Sequence, residues 1–266
     1  MGSVLISSCD QLADQLAQDN INTIPNKTRQ RKPNMPDQLK VTSGSIIVFD
    51  LDGTLVDSAP DLIGTLNKVI AKEGLAPLPY DQVGYLVGQG ALKMLEKAYL
   101  YYNKTLSDEV RSRLHKDFLD IYGEHLADET RPFEGVVDVL DELKAQGWTL
   151  AVCTNKYEGM SRKLLTELKL NHYFAAICGS DTFPVRKPDP EHLFGTIEAA
   201  NANRTKAIMV GDSATDINTA KAANIPSIGV PFGYSDVSIE SLKPTQIVPH
   251  FNEMMDAIER IHQGFS

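Results

Sequence analysis

The chain has 266 residues, of which 42% are hydrophobic, so it can bury the core of one large or two ordinary domains. A formal net charge of −9 and a pI near 5.2 argue against nucleic acid or an anionic membrane as a partner, and oblige an anionic substrate to meet a local cation. Three scattered cysteines (Cys9, Cys153, Cys178), with no C-x-x-C, fit a reducing cytoplasm better than a disulfide framework.

Residues 1–44 are polar, rich in Asn and Gln and broken by Pro25, Pro33 and Pro36. Leu12 and Leu16 mark at most a turn or two of helix, and the rest reads as a disordered extension. The opening residues lack the basic flank and apolar length of a signal peptide, and Ile6 breaks the myristoylation pattern. Met35 stands just ahead of the first strand, so the functional chain is expected to start near it. Deleting the residues before Met35 should leave activity and melting temperature unchanged.

Ser45 to Phe49 is an apolar run that reads as a strand buried on both faces. Alternation puts Ile46, Val48, Asp50 and Asp52 on one side, so two carboxylates leave the strand's C-terminal end together. Such carboxylates are costly to bury unless a cation pairs with them. From Ser58 to about Tyr122 the pattern is helical: Ser58 caps a helix with the stripe Leu62, Leu66, Val69 and Ile70, and two helices follow over 81–87 and 91–101. Ser107 caps a fourth. Arg131-Pro132-Phe133 reads as the return linker.

From Glu134 helix and strand alternate. Helices are expected over 136–146, 158–168, 213–223 and 251–262, with one opened by Asp189 as cap and Pro190 at its first position. Strands are expected over 148–153, 174–178, 207–210 and 225–230. This alternation predicts an α/β fold with a doubly wound, Rossmann-like parallel sheet. The expected division is an extension over 1–44, a core from 45–57 and 131–266, and a helical insert over 58–130.

In open α/β sheets the ligand sits at the carboxyl ends of the strands. These ends carry Asp50 and Asp52, Thr154-Asn155, the loop with Arg186-Lys187-Pro188, and Gly211-Asp212-Ser213 with Asp216 one turn on. Aspartates without histidine or cysteine partners call for a hard cation, with Mg²⁺ the default. The six histidines form no zinc pair. Mg²⁺ and Lys187 would counter a phosphate dianion, and Thr154 and Asn155 would donate to its oxygens. Asp50, ionised at neutral pH, would attack phosphorus and form an aspartyl-phosphate, with Asp52 as acid and base.

These residues resemble the haloacid dehalogenase-like hydrolase superfamily, and within it the phosphoglycolate phosphatases. The first motif, D-x-D-G-T-x-x-D-S, stands at Asp50 to Ser58, the second at Thr154, the third at Lys187-Pro188 and the fourth, G-D-x-x-x-D, at Gly211-Asp212 through Asp216. The resemblance covers the chain from about Ile46 to its C-terminus. It implies Asp50 as nucleophile, Asp52 as acid/base, and Mg²⁺ held by the carboxylates of Asp50 and Asp212 and the main-chain carbonyl of Asp52. It gives Asp216 a supporting role and makes the insert an α-helical cap. Gly88-Gln89-Gly90, ahead of the helix at Ala91, is read either as a backbone cradle for the substrate's carboxylate or as an ordinary turn.

The function expected is Mg²⁺-dependent hydrolysis of a small phosphorylated metabolite, with 2-phosphoglycolate foremost, in the cytoplasm and in carbohydrate metabolism. The protein is expected to be a monomer or homodimer. The alternatives are a sugar phosphomutase of the β-phosphoglucomutase kind and a phosphatase for another small ester. Phosphate release against sugar-phosphate interconversion separates the mutase. A dehalogenase would not keep Asp52, and a non-catalytic binding module would be expected to have lost one of these residues.

Overall fold

The structure is a computed structural model that describes Val41 and residues 43–265. The expectations for the 1–40 stretch (the extension, its short helix, a start near Met35) and for Cys9 lie outside those residues. Strand β1 (Ile46–Phe49) is fully buried. It lies inside a six-stranded sheet whose other members are β4 (Thr149–Cys153), β5 (Ala176–Cys178), β6 (Ala207–Gly211), β7 (Ser227–Gly229) and β8 (Gln246–Ile247). The order is β5-β4-β1-β6-β7-β8 and every neighbouring pair is parallel. The doubly wound α/β expectation therefore holds.

Both faces of the sheet are covered, which is why its strands read as unbroken apolar runs. Ile47 and Phe49 join Leu150, Val152, Ile208 and Val210 in one cluster. Helices α5 (Val136–Ala145), α6 (Glu158–Glu167) and α9 (Met254–His262) contribute Leu140, Leu164 and Ile258 to it. Ile46 and Val48 face the other way, into a smaller cluster with Leu193 and Ile197 of α7 (Pro190–Ala199) and Ala220 of α8 (Ala214–Ala222). Cys153 and Cys178 are buried, unbridged register partners within this cluster.

Between two very short strands, β2 (Val56–Asp57) and β3 (Arg131–Pro132), runs a helical layer: α1 (Ala59–Ala71), the one-turn α2 (Val83–Leu86), α3 (Ala91–Tyr101) and α4 (Asp108–Glu124). Leu62, Leu66, Val69 and Ile70 are buried along α1 as the periodicity requires. The helix expected over 81–87 is a 3₁₀ turn (Tyr80–Gln82) that runs directly into the one-turn α2. The expected return linker pairs antiparallel with β2, so entry and exit of the layer are joined by a backbone ladder. Two-residue strands carry no readable alternation, which also explains why β8 escaped prediction.

Buried Asp61 in the first turn of α1 reinforces this junction. It accepts from the N–H of Thr130 at 2.8 Å, the hydroxyl of Thr130 at 2.6 Å and the N–H of Glu129 at 3.1 Å. Ser107 and Asp189 cap α4 and α7 by accepting from Val110 N and Glu191 N. Ser58 precedes α1 but its hydroxyl does not cap it. It donates instead to Asp52 Oδ1 at 2.6 Å, because a carboxylate is the stronger acceptor. Ahead of β1, Gly44 O accepts from Asn203 N at 2.9 Å and Ser43 O from Lys206 Nζ at 3.3 Å.

Candidate active site

The site forms where β1 ends between β4 and β6. Asp50 N–H still donates to Val210 O at 2.9 Å, so this residue leaves the sheet in register. The chain then turns about Leu51, whose carbonyl accepts from the N–H groups of Thr54, Leu55 and Val56. Gly53 takes φ +88° in this turn, and a Cβ there would lie 2.5 Å from Asp212 Oδ2. The motif glycine is thus required by backbone conformation and by the closeness of the neighbouring carboxylate.

Asp50, Asp212 and Asp216 are all buried and offer carboxylate oxygens within 4.8 Å of one another. Lys187 Nζ lies 2.8 Å from Asp50 Oδ1 and donates to Asp216 Oδ1 at 2.6 Å. Asp216 Oδ2 accepts from the N–H and hydroxyl of Ser213 at 3.1 and 2.7 Å. Both oxygens of Asp216 are thereby committed to protein donors, and its evident work is to hold Lys187 and the start of α8. Asp212 accepts from Thr54 Oγ1 at 3.0 Å and from Tyr234 N at 2.7 Å.

Burial, then repulsion from Asp216, outweighs Lys187 and pushes the Asp50 carboxyl up to about 7. Burial, Asp216 and Asp50 likewise push Asp212 well above the carboxylate range. Burial alone would lower the Lys187 ammonium, but Asp216 and Asp50 overcome it and hold that group above the ordinary lysine range. The protein groups around Asp50 thus disfavour its charged form, and a cation beside it would favour that form. Including Asp52, four carboxylates here face two ammoniums, Lys187 and Lys156, a formal surplus of two negative charges. Oxygen-only donors with that surplus fit a hard divalent cation.

Thr154 and Asn155 follow β4. Thr154 is buried, and its hydroxyl oxygen accepts from Lys156 N at 3.2 Å, which leaves the O–H free to donate. Asn155 Nδ2 donates to the carbonyl of Lys187 at 3.1 Å, so part of its amide supports the lysine loop. That loop is also fixed by His192, which is buried. His192 Nδ1 accepts from Lys187 N at 3.2 Å and its Nε2 donates to Gly179 O at 3.0 Å.

A cavity of about 510 Å³ opens over these groups. Asp50, Asp52, Thr154, Asn155 and Lys187 line its core side, and Gly88 to Gly90, Phe118 and Tyr122 its helical side. Asp212 and Asp216 do not line it. Gly88 and Gly90 have positive φ, and α3 starts at Gly90 without a side-chain cap. Sequence reasoning overlooked Lys156, which pairs with both oxygens of Asp52 at 2.9 and 3.1 Å. Its place two residues past Thr154 was the available signal. It also passed over Tyr122 and Tyr234, which stand far from the motifs. Tyr234 donates its hydroxyl to Asp57 and accepts from Ala59 N, and nothing local in its sequence announces this.

Residues 47–230 match the family model described as haloacid dehalogenase-like hydrolase. The chain is similar to a phosphoglycolate phosphatase from Agrobacterium fabrum, 46% identical over 80% of this chain and 91% of that one. It is also similar to one from Mesorhizobium japonicum, 44% identical over 82% and 97%. Among solved structures it resembles a predicted phosphoglycolate phosphatase from Haemophilus somnus, with TM-score 0.75 and 30% identity over 81% of this chain and 98% of that one.

Proposed function

The chain belongs to the haloacid dehalogenase-like hydrolases, and from that we infer that it is a phosphatase that hydrolyses a small phosphomonoester, 2-phosphoglycolate foremost, to glycolate and phosphate. One observation carries the reading. Asp50, Asp52, Thr154 and Lys187 line one cavity, and Asp212 and Asp216 join Asp50 in a buried carboxylate cluster at its edge. A phosphoryl group and a divalent ion together suit such a site.

Asp50 Oδ attacks phosphorus, and the bond to the leaving oxygen breaks with its electrons. Asp52 gives that oxygen a proton. Water then attacks the phosphoryl group on Asp50, Asp52 takes the proton, and the carboxylate of Asp50 departs. Lys187 offsets charge on the phosphoryl oxygens, and the free O–H of Thr154 donates to one of them. Asp50 and Asp212, with the main-chain carbonyl of Asp52, would hold Mg²⁺, which supplies charge neutralisation at the phosphoryl group. Asp216 acts through Lys187. The helical layer from α1 to α4 acts as a cap that excludes bulk water and selects the leaving group. The backbone of Gly88-Gln89-Gly90, which lines the cavity, would receive the substrate's carboxylate.

The test is a kinetic screen with Mg²⁺ over small esters: 2-phosphoglycolate, hexose phosphates and nucleoside monophosphates. The highest kcat/KM is expected for 2-phosphoglycolate with release of inorganic phosphate. A hexose phosphate preferred by tenfold or more would overturn the substrate, and failure on all esters would overturn the activity.

A further inference from the structure

Lys156 belongs to none of the motifs, yet it is held as tightly as Lys187. Its side chain is only 5% exposed. Its ammonium donates to Asp52 Oδ1 at 2.9 Å, to Asp52 Oδ2 at 3.1 Å and to Tyr122 Oη at 2.6 Å, and it lies 4.5 Å from the centroid of the Tyr122 ring. The three residues come from three places: the turn after β1, the loop after β4, and α4 of the helical layer. Ser58, at the entry to α1, gives Asp52 its other side-chain partner. A lysine stem ordinarily samples many rotamers. Burial and three acceptor atoms remove that freedom here, and the fixed ammonium in turn fixes the plane of the carboxylate.

The geometry points to Lys156 as a positioning residue for the proton-carrying carboxylate of Asp52, with Tyr122 as the strut that ties this placement to the helical layer. The inference rests on the reading of Asp52 as acid and base given above. General acid catalysis requires the carboxyl within hydrogen-bond reach of the leaving oxygen. Without Lys156, Asp52 keeps only Ser58 as a side-chain partner among the described residues and turns about its χ angles. A cation that merely bound substrate would lie over the phosphoryl site and act on KM. Lys156 instead spends its donors on Asp52 and on a tyrosine oxygen.

Leaving-group dependence separates these roles. An alkyl phosphate needs a proton on its leaving oxygen, whereas p-nitrophenyl phosphate expels a stable phenolate without one. kcat/KM reports the steps up to that departure. The experiment measures kcat/KM with Mg²⁺ for the best alkyl phosphate in the screen and for p-nitrophenyl phosphate, in the parent, Lys156→Met, Tyr122→Phe and Asp52→Asn. Lys156→Met is expected to lose about 10- to 100-fold on the alkyl ester and less than about threefold on the aryl ester. Tyr122→Phe should lose in the same sense by a smaller factor. Equal losses on both esters, or a loss carried entirely by KM, would overturn the inference. Should Lys156→Met fail to fold, Tyr122→Phe decides by the same ratio. Asp52→Asn keeps the two readings apart. If it discriminates between the esters and the Lys156 variant does not, only this inference falls. If it does not discriminate, Asp52 is not the acid and the inference falls with that role.

Discussion

Asp50 and Asp52 stand two residues apart in unlike surroundings. Asp50 shares Lys187 with Asp216 at the cavity's edge, whereas Asp52 is held by Lys156 and Ser58. This division suits one residue to covalent chemistry and the other to carrying protons. Asp50→Asn should lower kcat by at least about 10³-fold, measured by phosphate release. Its melting temperature without metal should not fall. The Asp50 carboxyl is raised in the folded state, so its ionisation opposes folding as pH rises from the unfolded value near 3.8 toward 7, and Asn removes that charge. His192 shows the opposite linkage. Burial first, then Lys187, lowers the imidazole to about 4. The unfolded chain therefore binds a proton near pH 6.5 that the folded chain refuses, and stability drains away as pH falls from about 6.5 to 4. Urea denaturation of His192→Gln should show a shallower loss over that window than the parent.

At the scale of elements, function depends on what β1, β4 and β6 place at one edge and on how the helical layer is tied to it. The ends of β1 and β6 supply Asp50 and Asp212, so a divalent ion would cross-link neighbouring strands. Saturating Mg²⁺, at 100 times its Kd, should stabilise the fold by about 2.7 kcal/mol, or roughly 5–10 °C in melting temperature. Asp212→Asn should remove most of that shift in a thermal scan. The ladder of β2 and β3 is only two residues long, so its strength rests on Asp61. Asp61→Ala leaves the buried Thr130 N–H and hydroxyl without their acceptor. We expect it to cost about 2–4 kcal/mol in chemical denaturation and to raise KM through a loosened layer.

For the whole molecule, the acidic charge and the anionic substrate are reconciled locally. The net charge of −9 belongs to the chain as a whole, while Lys156 and Lys187 are buried at the sheet edge, 5% and 1% exposed. Long-range steering of an anion is unfavourable, so capture depends on Lys187 and on the metal. Raising the ionic strength should therefore leave kcat/KM unchanged or higher, the opposite of a positively steered enzyme, as initial rates at low substrate would show. Among the described residues no helix is long and apolar enough to cross a membrane.

The sequence by itself determined five of the sheet's six strands, the order of the helices around them, and the strand ends that carry the site. Buried parallel strands must be apolar throughout, and the polar residues that break those runs stand out. Asp50, Thr154 and Asp212 were legible for that reason, and Lys187 from the loop that follows β5. Tertiary structure alone decided three further matters. Lys156 and Tyr122, separated by 34 residues, meet because α4 folds back over the loop after β4. The ionisation of Asp50 depends on how completely Asp216 and the core enclose it, which no local spacing reveals. Ser58 serves Asp52 instead of capping α1 because the turn at Gly53 brings that carboxylate within reach. Local rules specify which groups arrive at the sheet edge, and the distances set by packing decide which of them pair.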